Sequence, residues 1–239
     1  MKSLKKIILA AFALPLLMLT ACNSDDDNDQ PTGSYFSVFS TLEQASAAGA
    51  TFGINKPDNT PMTISGTWKV GDYTQFKVGQ RYYVTYTNGS KTDAFMSPTV
   101  NLIAATLCYQ DAAKTVAASE IPDMKQTQYN YRSQTFILGG YLNAIVSCVL
   151  TKSPKFFGLY VDEATTADEY PKVTLVLESD TNGNGNQANI AGSFSLSGII
   201  NRPGCMGIEL TYKDATGTLK TEKLQKPGSQ QSETIKPQE

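Results

Sequence analysis

Alternation is the feature that most limits what this chain can fold into. From Gly33 onward, apolar residues recur at every second position in short runs between turn residues, and no window repeats at helical spacing, so the body must be built from strands. Residues 80–87 are the plainest run, with Tyr82, Val84 and Tyr86 on one face and Arg81, Tyr83 and Thr85 on the other. One of those faces belongs to a core. Further strands are predicted at residues 35–42, 51–54, 62–64 and 99–109. The second half adds residues 136–138, 141–151, 156–162, 172–178, 193–196 and 206–213, and a turn at 213–217 leads into residues 218–224. Many short strands at this spacing suit a sandwich.

The alternation fails between residues 111 and 132, where the Ala-rich stretch 112–120 is compatible with a short helix and 123–130 is polar. A domain boundary is expected there. The predicted organisation is a first β domain at 33–114, a linker at 115–132, a second β domain at 133–224 and a polar tail at 225–239. A turn is expected at 56–61, where two prolines flank Asp58, Asn59 and Thr60.

The first residues read as an address. Lys2, Lys5 and Lys6 precede an apolar run over 7–19, which is too short to span a bilayer as a helix and has the length of a signal-peptide core. Leu19-Thr20-Ala21-Cys22 then resembles the lipobox of bacterial lipoproteins, in which the Cys receives diacylglycerol and becomes the first residue of the finished chain. Residues 1–21 are thus expected to be a signal peptide and Cys22 the lipidated residue. Residues 22–32 follow as a tether, because Asp25, Asp26, Asp27 and Asp29 cannot bury apolar area. An acidic patch at this place also resembles the signal that carries Bacteroidota lipoproteins to the cell surface, although a plain spacer has the same composition. The expected location is the outer membrane, facing outward. The leader holds three of the 20 Lys+Arg and none of the 22 Asp+Glu, so its removal makes the chain more acidic than the formal charge of −2. Such a body has no long-range field for nucleic acid or anionic headgroups, which leaves the lipid as the membrane contact.

Composition removes several chemistries. With no His among 239 residues, neither a Ser-His-Asp triad, a Cys-His pair nor a His metal ligand can form. Beyond Cys22, the cysteines are Cys108, Cys148 and Cys205, an odd count that leaves at least one thiol free. Cys148 alternates with Leu142, Ala144, Val146 and Leu150 and reads as a small buried hydrophobe, with a Cys148–Cys205 bridge as the alternative. Asp180, Asn182 and Asn184 have the spacing of a Ca²⁺ loop, but position twelve is Ala191 where a bidentate Glu is needed, so a strand connection is the preferred reading. Gly183, Gly185 and Ala188 match a dinucleotide fingerprint formally, without the helix it requires. The neighbouring carboxylates Asp162/Glu163 and Asp168/Glu169 would point to opposite faces of a strand, which argues against acid–base work on a glycosidic bond. No catalytic residue and no cofactor are expected.

A resemblance organises these elements. Gly139-Gly140-Tyr141-Leu142-Asn143, then 157–162, 171–177 and Gly192-Ser193-Phe194-Ser195-Leu196-Ser197 look like the C-terminal half of NigD-like lipoproteins. Upstream, Gly66-Thr67-Trp68, residues 78–84 and the acidic stretch behind Cys22 also fit that family, so the likeness covers nearly all of the chain after the leader. It implies an all-β protein with an N-terminal OB-like β-barrel and a C-terminal antiparallel β-sandwich, in an envelope lipoprotein of unestablished molecular role. The expected function is non-enzymatic binding of a protein or glycan partner, with a bacteriocin immunity or accessory factor as the alternative and a polysaccharide hydrolase as a more remote one. OB barrels bind ligands by stacking on an aromatic face. Trp68, Tyr73, Phe76, Tyr82, Tyr83 and Tyr86 with Lys69, Lys77 and Arg81 form an aromatic and basic set in the implied barrel. Trp68, Arg81 and Tyr83 are accordingly the candidate ligand contacts, set against the commoner use of such residues in core packing.

Overall fold

A computed structural model describes residues 34–68, 75–123, 129–131, 135–150, 156–178, 186–214 and 216–228. The leader, Cys22, the acidic tether, the Ca²⁺-like loop at 180–184 and residues 229–239 lie outside the described residues.

The first half closes into a barrel. Strands β1 (Phe36–Ser46), β2 (Gly49–Asn55), β3 (Pro61–Trp68), β4 (Arg81–Thr87) and β5 (Thr99–Leu107) pair in the order β1-β2-β3-β5-β4, and β4 returns to β1. All these pairings are antiparallel except that of β3 with β5, where Ser65 to Trp68 run parallel to Thr99 to Leu102. This five-stranded closed barrel has the strand order of an OB-like barrel, the fold that the resemblance implied. Closure needs coiled strands, and register shifts at Leu42/Gln44 and Thr85/Tyr86 supply the bends. Of the two faces that alternation separates on β4, the inward one carries Tyr82, Val84 and Tyr86, buried with Phe52, Ile64, Leu42 and Leu102. Gly66 permits the parallel seam, since a Cβ there would lie 2.2 Å from the carbonyl oxygen of Val100.

The second half is a sandwich of two sheets. Strands β6 (Lys114–Val116), β10 (Phe156–Asp162), β11 (Lys172–Glu178), β13 (Gly207–Lys213) and β14 (Leu219–Gln225) form one, in the order β14-β13-β11-β10-β6. Strands β7 (Tyr129–Tyr131), β9 (Tyr141–Leu150) and β12 (Asn186–Ser195) form the other, with β8 (Phe136–Leu138) also paired to β9. Between them lies a core of Leu142, Val146, Phe157, Leu159, Leu175, Leu177, Phe194 and Leu210. Burying a side chain of this size stabilises by about 1.5–3 kcal/mol. A short helix α1 (Ser197–Ile200) adds Ile199 and Ile200 to that core. The smaller sheet is antiparallel throughout, whereas in the larger sheet β11–β13 and β10–β6 run parallel.

Two expectations are corrected. The Ala-rich stretch at 112–120 holds no α-helix: Lys114–Val116 is strand β6 and Ala118–Glu120 is one 3₁₀ turn. Thr115 and Val116 are β-branched, and pairing with Val161 and Asp162 outweighs the helix preference of the alanines. The Cys148–Cys205 bridge is not formed, because Cys205 is a buried free thiol that donates to the Gly207 carbonyl at 3.3 Å.

No loose linker separates the halves at the exit from β5. Tyr109 donates to Ala191 O and accepts from Ser193 N, both at 2.8 Å, and Ser195 N reaches Asp111 O at 3.0 Å. The chain leaving the barrel is thus hydrogen-bonded onto β12 of the sandwich.

Candidate functional site

The barrel docks on the sandwich through the second face of β4. Phe39, Cys108 and Ile145 make a small buried cluster of their own, with Tyr83 and Ala191 packed against it. Phe39 contacts Tyr83 at 5.0 Å between ring centroids and meets Phe136 edge-on at 5.9 Å. Strand β9 is buried on both sides for this reason: Leu142, Ala144 and Val146 enter the sandwich core, while Asn143, Ile145 and Ser147 are at most 3% exposed on the other face.

Arg81 lies in this junction and is only 7% exposed. Its Nε donates to Ser193 Oγ at 2.9 Å, one terminal nitrogen to Thr41 Oγ1 at 3.1 Å and the other to Asn143 Oδ1 at 3.1 Å. Ser193 Oγ in turn donates to Asn143 Oδ1 at 2.8 Å. The guanidinium also covers the ring of Tyr141, 4.2 Å from its centroid. Every one of these partners is neutral. Burial pushes the Arg81 guanidinium down from its ordinary range, and the acidic groups near enough to favour its charge are the Cys108 thiol and the Tyr141 phenol. Burial holds the Cys108 thiol up to about 12, so it carries no charge at neutral pH and is no nucleophile there. Among the described residues, then, this buried cation has hydrogen bonds and a π face but no counter-ion.

An open cleft of about 500 Å³ lies beside it, with walls from both domains. The barrel gives Thr41, Glu43, Asn55, Met62 and Arg81, and the sandwich gives Gly139 and Tyr141. The turn between β2 and β3 fixes one wall. Asp58 Oδ1 accepts from Thr60 N at 2.9 Å, Asn59 takes a positive φ of 67°, and its Oδ1 accepts from Gly139 N at 2.8 Å across the junction. The turn expected at 56–61 is present and locks onto the other domain.

Of the sequence candidates, Arg81 and Tyr83 come together at the junction, two residues apart on one face of β4. Trp68 belongs to a different neighbourhood. It stacks on Phe76 at 4.5 Å and meets Phe52 edge-on at 5.8 Å, packed against the barrel core with Tyr82 and Tyr86. Tyr73 and Lys69 lie outside the described residues. The carboxylates at 162–163 and 168–169 are not in the lining of this cleft: Asp162 caps a 3₁₀ turn by accepting from Ala164 N, and the Asp168 backbone carbonyl accepts from Arg202. Among the described residues, no three of His, Cys, Asp or Glu group as metal ligands, and no helix is long and apolar enough to cross a membrane. Sequence reasoning missed Thr41, Asn143 and Ser193 as partners of Arg81. The available signal was weak: Asn143 interrupts an apolar stretch of β9, whereas Ser193 is one of several polar residues in β12.

No family model matches the chain, and no curated protein matches it. Solved structures do. A DUF1344 protein of unknown function from Bacteroides vulgatus superimposes with a TM-score of 0.61 at 17% identity, over 81% of this chain and 92% of that one. A candidate lipoprotein from Bacteroides fragilis gives 0.52 at 11% identity, covering 80% and 98%. A NigD-like immunity protein from Bacteroides caccae gives 0.50 at 18% identity, covering 79% and 92%. At these identities the likeness concerns the fold, and it extends over barrel and sandwich together: this chain has the two-domain β fold seen in a NigD-like protein, as the resemblance in its sequence implied.

Proposed function

We propose that this chain is a lipid-anchored envelope protein, facing outward from the outer membrane, that binds a protein or glycan partner and carries out no reaction on it. The cleft between barrel and sandwich carries this reading. It joins hydroxyl, amide and guanidinium groups from two domains in one open concavity, without a nucleophile and base in contact among them. The lipobox at Leu19 to Cys22 and the Asp-rich stretch behind it supply the anchor and the tether. A structural neighbour described as a candidate lipoprotein supports the lipid anchor. A second reading, an immunity or accessory factor whose partner is a toxin, is favoured by one observation, the neighbour named as a NigD-like immunity protein.

The test has two arms in the native host. Feeding an alkyne fatty acid should label the chain and leave a Cys22→Ser variant unlabelled, and protease added to intact cells should remove the labelled protein. Crosslinking on surface-labelled cells should then trap a partner through residues at the cleft. An unlabelled protein recovered from the cytosol ends the anchor reading, and a labelled protein that hydrolyses surface polysaccharide ends the non-enzymatic one.

A further inference from the structure

Resting on that reading of the cleft as a binding site, we infer that its ligand is an acidic sugar, a hexuronate unit whose carboxylate pairs with Arg81. A guanidinium carries five N–H donors, and three are taken by Ser193, Thr41 and Asn143. The other two, one on each terminal nitrogen, have no partner among the described residues. Thr41 and Arg81 both line the cleft, and the Thr41 hydroxyl, which accepts from Arg81, donates to no acceptor among the described residues, so its hydrogen serves a ligand. Burying a cation among neutral oxygens is costly, and an incoming anion recovers part of that cost because charge-assisted bonds to a desolvated guanidinium are strong.

The charge count selects the anion. Arg81 is the one cationic side chain in the lining, and Glu43 at the exposed rim disfavours a dianion, so a single carboxylate fits better than a phosphate. The remaining lining selects a sugar. Thr63 and Asn55 offer polar groups for ring hydroxyls, while the half-buried Met62 offers apolar surface for the ring's C–H face.

The full chain in detergent is titrated calorimetrically with glucuronate, galacturonate and their disaccharides, beside glucose and an acetylated dipeptide with a free C-terminus. Saturable hexuronate binding is expected, at least about tenfold tighter than glucose, weakened about tenfold in Thr41→Val and lost in Arg81→Met, with unfolding midpoints showing both variants folded. Thr41→Val keeps the result decisive if Arg81→Met does not fold. Equal affinity for glucose, dipeptide binding without hexuronate binding, or undiminished hexuronate binding in the variants overturns the assignment. Capture of a neutral glycan or a protein at the cleft by a chain that ignores hexuronates also overturns it, and leaves the proposed binding function standing.

Discussion

The guanidinium carbon of Arg81, in the barrel, lies 4.2 Å from the centroid of the Tyr141 ring, in the sandwich. With the bonds from Arg81 to Asn143 and Ser193, this stack makes one barrel side chain a member of the sandwich sheet. The arrangement depends on the planar fork of arginine, because three acceptors in different directions and a ring face are met at once.

Replacing Arg81 should therefore separate charge from shape. Arg81→Lys keeps a buried cation but loses most of the fork and the stacking, and should destabilise by about 2 kcal/mol. Arg81→Met removes the desolvated charge. Asn143 Oδ1 keeps the Ser193 hydroxyl and Thr41 keeps the cleft, so the loss should be about 1 kcal/mol or less. Urea midpoints with equal m-values check this order. A lysine variant as stable as wild type would mean that the fork contributes nothing.

Glu43 is the carboxylate of the cleft lining, and it sits at the exposed rim. Water and salt weaken its repulsion of a bound carboxylate without removing it. Glu43→Gln should raise hexuronate affinity about two- to fivefold in low salt, with the difference closing at about 0.5 M salt. The same calorimetric titration at two salt concentrations reads both effects.

Strand placement was legible because alternation is local. Residues 136–138, 156–162 and 172–178 match β8, β10 and β11. Strand β12 starts at Asn186, well before the expected 193, because its Asn- and Gly-containing first half pairs with β9 all along its length, information that lives in the partner strand. Barrel closure came from the family resemblance, since no period in a sequence says which strands meet. The site was half legible for a related reason. Alternation put Arg81 and Tyr83 on one face of β4 and Tyr82, Val84 and Tyr86 on the other, but a period of two says neither which face is core nor whether the other meets water or a second domain.

Gly192 is fixed by two rings. A Cβ there would fall 2.5 Å from Phe157 and 2.7 Å from Phe194, whose rings meet edge-on with centroids 5.2 Å apart. Neither ring can yield, since both are buried in the sandwich core. Gly192→Ala should destabilise by about 2–3 kcal/mol through overpacking. Gly198, in α1, has nothing within 4 Å of its added Cβ, and Gly198→Ala should be neutral or stabilising by up to about 1 kcal/mol. Thermal midpoints of the pair test whether space, and not a general penalty on glycine replacement, sets the outcome.

The thiol at the junction gives the fold a measurable alkaline limit. Cys108 is 3% exposed, and burial raises its folded value to about 12 from an ordinary 9.0. Between those values the unfolded chain has lost the thiol proton while the folded one retains it, so the folded state binds more protons and stability falls as pH rises. The contribution is fully present below pH 9 and is lost progressively as pH rises toward 12. At pH 11 the loss reaches about 2–3 kcal/mol, from 1.36 kcal/mol per unit. Burial also raises Tyr82, and raises Tyr86 to about 12, so part of the alkaline decline belongs to the barrel core. Cys108→Ala isolates the rest: it should be less stable than wild type by about 1 kcal/mol at pH 7, because a small void replaces the sulfur, and equal or more stable at pH 11. Urea unfolding of both proteins at pH 7, 9 and 11 measures the crossing, and parallel curves would show that Cys108 ionises in the folded protein as readily as in the unfolded chain.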